Sequence, residues 1–261
     1  MIKLLAIAAF LLCTLAAHAQ TGVTTVGPVT INGGATLGGA PAASFSPVFS
    51  SAGACAGNGT TCTVTLSVVP GQFAICGIGN FFTSSGTLTC ADTDGDTLTN
   101  YPTGNPYSDT VEFQGGLAEG ALTHTNASEV FTCTQSNGAD AIECGVMVFT
   151  GTPTSGWDVA IAGNSQRSLG IGNTTLVSGT STATTTASEL AVGFFVIFAS
   201  SGAQTLSTSG SWIIATNTTG GDARCAMVYQ ILTTTGTQQA AILYNNTASG
   251  GNAIGVVSTI K

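Results

Sequence analysis

The sequence predicts an all-β protein, an antiparallel β-sandwich or jelly roll pinned by hairpin disulfides. Three observations predict it. Apolar and polar residues alternate along much of the chain, the period of a strand with one buried face. Turn dipeptides break that alternation at Asn58-Gly59, Asp94-Gly95, Asn137-Gly138, Gly220-Gly221 and Gly250-Gly251. Cysteines recur in pairs on either side of such turns. Together these give about a dozen short strands with regular breaks, the pattern of a sandwich or jelly roll.

The first element is a secretory signal over residues 1–19. Lys3 supplies its positive start, residues 4–17 its apolar stretch, and Ala17-His18-Ala19 a cleavage site before Gln20. A membrane span needs about 20 apolar residues, so this stretch is read as removed, leaving a secreted or cell-surface protein with no membrane span. Residues 20–45 are rich in Gly, Thr and Ala, with weak alternation at Val23, Val26, Val29 and Ile31. They read as an extended arm before a β-sandwich domain over 46–261.

Within that domain, Cys62, Val64, Leu66 and Val68 share one face of a strand. Val111 with Phe113, Phe131 with Cys133, and Trp157, Val159 and Ile161 do the same, as do Ile142, Cys144, Val146 and Val148. Apolar runs at 72–82, 189–199, 211–215, 223–232, 239–244 and 253–260 read as more deeply buried strands. Residues 179–188 (GTSTATTTAS) read as a solvated edge strand, because β-branched residues favour extended backbone. No internal sequence repeat stands out.

Seven cysteines lie beyond residue 19. In an exported chain they predict disulfides. Turn positions suggest Cys55 with Cys62, Cys76 with Cys90 across residues 83–86, and Cys133 with Cys144. In each an antiparallel hairpin would set the two opposite one another. Cys225 is left over, as a small buried hydrophobe or an intermolecular thiol.

The order of strands resembles a loosely defined group of β-sandwich modules from secreted bacterial proteins. The features that match are a buried strand at 73–80, a strand–Asp/Gly turn–strand unit at 88–98 and a Thr-rich segment at 181–186. A hydrophobic strand at 189–198 and a last strand at 255–260 complete the pattern. The resemblance implies a jelly-roll-like fold, an extracellular and often adhesive or glycan-associated role, and no catalytic residues.

Charge narrows the function classes. The chain carries 12 acidic and 4 basic residues, a formal net charge of −8. So few cations argue against nucleic acid or an anionic membrane as partner. There is no C-x-x-C pair, and His124 is the one histidine beyond residue 19, so neither a zinc site nor a hydrolytic triad is expected. Scattered carboxylates read as solvated surface rather than as a glycosidase pair.

Three candidate sites remain. Asp92, Asp94 and Asp96 alternate as in calcium loops, although Gly95 falls one position early for an EF-hand and Thr103 stands where its last ligand would be. Calcium is thus the one cofactor the sequence offers. Tyr101 and Tyr107 bracket a Pro-containing loop and are the candidate platforms for a glycan. Sequons at Asn58, Asn126, Asn173, Asn217 and Asn245 would carry sugar in a glycosylating host, making a glycoprotein. The functional expectation is a non-enzymatic structural or adhesive surface protein. In this reading it is a subunit of an extracellular fibre, whose arm adds a strand to another copy. The alternative is a monomeric carbohydrate-binding module whose partner is an extracellular glycan. A membrane β-barrel also alternates, but dense hairpin disulfides and Lys261 speak against one.

Overall fold

A computed structural model describes residues 45–261 except 82–85, 102–106, 110–112, 137–140, 152, 154–155, 200–203, 219–222 and 248–249. Of the first 44 residues it describes only two short strands. The signal segment 1–19 and most of the arm therefore lie outside the described residues, as do the turns at 137–138 and 220–221. The chain divides into two units, 1–44 and 45–261. In the first, β1 (Val29–Thr30) pairs antiparallel with β2 (Thr36–Leu37), so the arm contains a small ladder of its own.

The second unit is all-β and antiparallel, with no helix among the described residues. Its first half contains β3 (Val48–Asn58), β4 (Thr61–Val68), β5 (Gln72–Phe81), β6 (Leu88–Asp92), β7 (Thr99–Tyr101), β8 (Tyr107–Ser108), β9 (Phe113–Leu122), β10 (Asn126–Gln135) and β11 (Ala141–Thr150). Its second contains β12 (Trp157–Gln166), β13 (Gly172–Val177), β14 (Leu190–Ala199), β15 (Gln204–Thr208), β16 (Ile213–Asn217), β17 (Ala223–Ile231), β18 (Ala241–Asn246) and β19 (Gly251–Ile260).

The strands form four main sheets. In the first half, β4-β10-β6 make a small sheet and β3-β11-β5-β9-β7 a large one, with β8 continuing the β7 edge along β9. In the second half the corresponding orders are β13-β18-β15 and β12-β19-β14-β17-β16. Counting β7 and β8 as one interrupted strand, the two halves have the same eight-strand topology. Each is a jelly-roll-like sandwich of one larger and one smaller sheet.

The two sandwiches stack through their large sheets. Strand β14 packs over β5, β17 over β11 and β3, β16 over β3, β19 over β9, and β12 over β7, β8 and β9. Exchanging the halves maps β3–β16 onto β12–β7 and β5–β14 onto itself, so the stack has a pseudo-twofold axis. It has the geometry of an isologous dimer within one chain. The sequence shows no such repeat, because topology is conserved here by backbone pairing and not by side-chain identity.

Three cores fill the four layers. Between the first small and large sheets lie Val64, Ile78, Phe131, Ile142 and Val146. Between the large sheets lie Phe73, Ile75, Met147, Phe149, Phe194 and Val256. The second sandwich encloses Leu176, Phe195, Ile197, Trp212, Ile242 and Tyr244. At the central interface Gly77 and Gly145 face each other in register across β5 and β11. A Cβ on Gly77 would stand 2.3 Å from Met227 Sδ and 2.4 Å from Phe194 Cδ2. The two glycines thus form a dimple into which side chains of the other sandwich insert.

Layering corrects several strand expectations. Strand β11 alternates only in chemistry; Ala141–Phe149 is buried on both faces because the large sheet is covered on both. The apolar run at 239–244 predicts a deeply buried strand, yet β18 alternates, as a strand of an outer sheet does. The run at 211–215 contributes to β16, an edge strand on which Ile213 is 48% exposed. Residues 179–188 form no strand. Ser178, Ser181 and Thr184 each exchange two bonds with Ala240, Gln238 and Gly236 respectively, through backbone N–H groups, carbonyls and hydroxyls. Steps of three residues on one side against two on the other cannot make a β ladder.

The disulfides have the expected partners but a different geometry. Cys55–Cys62, Cys76–Cys90 and Cys133–Cys144 have Cα separations of 6.1, 6.5 and 5.9 Å. Each joins the large sheet to the small one, not two strands of one hairpin. In the small sheet Cys62, Cys133 and Cys90 lie in register; in the large one Cys144 pairs with Cys55. The bridges form a row of rungs through the core of the first sandwich. The second sandwich has no disulfide among its described residues, and its Cys225 is buried and free.

Candidate functional site

One accessible feature is an edge of the first large sheet. Strand β3 pairs with β11 on one side only, among the described residues, and its eleven residues (VFSSAGACAGN) include no charge. Natural edge strands are normally guarded by charge, proline or strong irregularity. Here one register shift, opposite Val148 and Phe149, interrupts the strand, and Pro47 stands just before it. The strand begins in an apolar cluster. Phe49 stacks on Tyr229 at 5.4 Å and meets Phe149 edge-on at 5.7 Å. Val48 is 60% exposed, and Ile213, in register with Tyr229, and Ile231 are each 48% exposed.

The pseudo-equivalent edge, at β12, has its own aromatic pair. Tyr101 stacks on Trp157 at 5.4 Å, so one ring face is covered. Tyr107 lies against Gly163, where a Cβ would come within 2.1 Å of its ring. The two predicted glycan platforms are thus half-buried and lie on the same side of the molecule. Glu119 sits beside Gly156, and burial pushes its carboxyl above the usual range.

The Asp92–Asp96 segment crosses from the small to the large sheet. Asp92 Oδ1 accepts from Gly95 N and Asp96 N at 2.8 and 2.9 Å. Asp96 accepts from Thr123 N and Thr123 Oγ1, and pairs with His124 at 3.3 Å. Asp94 accepts from Asn126 Nδ2. Glu129, one of the scattered carboxylates expected on the surface, is buried and accepts from Thr93 N, Thr93 Oγ1, Asp94 N and Asn126 Nδ2. Burial raises Asp92, and the Glu129 carboxyl raises Asp94. Burial opposes ionisation of Asp96 and Glu129 too, but their donors outweigh it and hold both below the usual values. The three aspartates therefore serve as acceptors for their own loop and its neighbours. No metal-holding group of His, Cys, Asp or Glu occurs among the described residues.

Carboxylates expected on the surface are in several cases buried. Glu129, Glu143 and Glu189 are at most 1% exposed. The Asp109 and Asp158 side chains are each 1% exposed, paired with Arg167 and Lys261. The sequence signal was position: Glu143 interrupts an apolar run, and Glu189 opens one. Of the sequons, Asn58, Asn173 and Asn245 are exposed, whereas Asn126 and Asn217 are half-buried. No helix among the described residues is long and apolar enough to cross a membrane. No family model, curated protein or solved structure matches this chain.

Proposed function

We propose that this is a secreted, non-enzymatic structural protein of the cell surface, a subunit that assembles by strand addition into an extracellular fibre. The observation that carries the reading is β3, a long uncharged edge strand that has a strand neighbour on one side only among the described residues, with apolar side chains at its start. Such an edge is a template for an incoming strand. The occupant is the residue 20–45 arm of another copy, which is itself uncharged and β-prone. A four-layer stack whose first two layers are pinned by three disulfides suits a subunit that bears load rather than one that opens to admit substrate.

The reading is tested by imaging negatively stained material of the full chain, a variant lacking residues 20–43, and Val48→Lys. Filaments from the full chain that are lost in both variants support it. Uniform monomers from the full chain, or filaments that persist without the arm, refute it.

A further inference from the structure

One cluster of charged residues ties the ends of the second sandwich together. Asp158 lies in β12, the first strand of that sandwich, and Lys261 directly follows β19, the last. The two strands are neighbours, with Trp157 and Ile260 in register. Lys261 Nζ donates to Asp158 Oδ1 and, at 2.8 Å, to Thr185 Oγ1. Asp158 Oδ2 accepts from Thr185 N at 2.7 Å, and Oδ1 from Thr185 Oγ1 at 2.5 Å. The Asp158 side chain is 1% exposed and that of Lys261 29%.

A second carboxyl is bound by the residue next to Thr185. Glu189 is fully buried, and its Oε1 accepts from Thr186 N and Thr186 Oγ1, both at 2.9 Å. Its Oε2 is buried without a hydrogen-bond partner among the described residues; burial opposes ionisation of Asp158, but Lys261, Thr185 and, last, Glu189 outweigh it and bring that carboxyl down to about 2. The preceding residue, Ser188, holds a left-handed conformation at φ 64°. Asp158 and Glu189 accept from consecutive residues, Thr185 and Thr186. An orphaned buried oxygen beside a buried ion pair has no structural benefit of its own.

We propose that Lys261 and Asp158 condense into an intramolecular isopeptide bond, with Glu189 relaying the proton. The amine nitrogen of Lys261 attacks Cγ of Asp158. One C–N bond forms, one Cγ–O bond breaks, and that oxygen leaves as water. In sum an ammonium and a carboxylate become an amide and one water, so no oxidant or cofactor is consumed. The reacting pair is the neutral amine and acid, reached when the ammonium passes a proton to the carboxylate it touches, against a pairing that holds Asp158 down to about 2. Holding the groups in contact removes the entropic cost of bringing them together. Glu189 takes a proton from the attacking nitrogen and returns it to the departing oxygen. The bond would give the second sandwich the covalent tie that the first has in its three disulfides. The tie would join the first and last strands of the sandwich.

The test is the intact mass of the purified full chain after reduction of its disulfides. The expected mass is about 18 Da below that of the linear sequence, the loss of one water on condensation. A digest should contain a branched peptide joining Lys261 to the Asp158 segment. Lys261→Arg, which keeps a cation, Asp158→Ala and Glu189→Gln should each restore the full mass. A native chain at full mass after prolonged incubation at neutral pH overturns the proposal. So does a deficit that persists in Lys261→Arg, which would place the dehydration elsewhere.

Discussion

Glu143 gives the most direct test of the four-layer architecture. It lies on β11 in register with Ala56 and Gly79, at 0% exposure, and neither carboxyl oxygen has a hydrogen-bond partner among the described residues. Burial pushes this carboxyl well above its usual 4.5. Burial first, and then Glu143, also push the neighbouring Cys225 thiol strongly upward. The folded state therefore binds a proton at Glu143 that the unfolded chain releases near pH 4.5. Stability from this group is complete below that value and falls as pH rises toward the folded value, by about 1.4 kcal/mol per unit. The unmade hydrogen bonds cost about 1–3 kcal/mol besides. Replacing Glu143 by Leu removes both terms. For a body of this size, about 2 kcal/mol corresponds to about 4–8 °C in melting temperature. Thermal melts at pH 5 and pH 7 should show the native chain losing stability with rising pH. Glu143→Leu should lose less and melt higher at pH 7. A variant that melts at or below the native chain at pH 7, with no difference in pH slope, would refute the placement of this carboxyl between the sheets.

Two further predictions probe packing and cross-linking. Gly77→Ala adds a methyl where Met227 and the Phe194 ring already stand, and such overpacking costs about 1–3 kcal/mol. Urea denaturation should show the lowered midpoint, and an unchanged one would mean that the large sheets do not meet there. Replacing Cys133 and Cys144 together by Ala opens a loop with a sequence separation of 11, which in the chain-entropy model costs about 3 kcal/mol. Retention of full stability in that variant would argue against this pairing.

The extended, alternating strands and the pairing of cysteines were legible because both are local. Period-two alternation needs only neighbours in sequence, and Cys55 and Cys62 are seven residues apart. Even depth was partly written locally. The apolar runs at β5, β14, β17 and β19 are those of sheets covered on both faces, while the alternation of β4 is that of an outer sheet.

The chain's local chemistry thus determined that it is all-β, stapled and poor in charge. Only the tertiary structure decided which sheet each strand joins, and so that the bridges run between layers and that eight strands are laid out twice. The same holds for Glu143, Glu189 and Asp158, whose type predicts solvation while their positions put them inside. The physical reason is distance along the chain. Asp158 meets Lys261, and Cys225 lies against the carbonyl of Cys55, only after sheets built from remote segments have stacked. No pattern within a short window of sequence encodes what will cover a strand's second face.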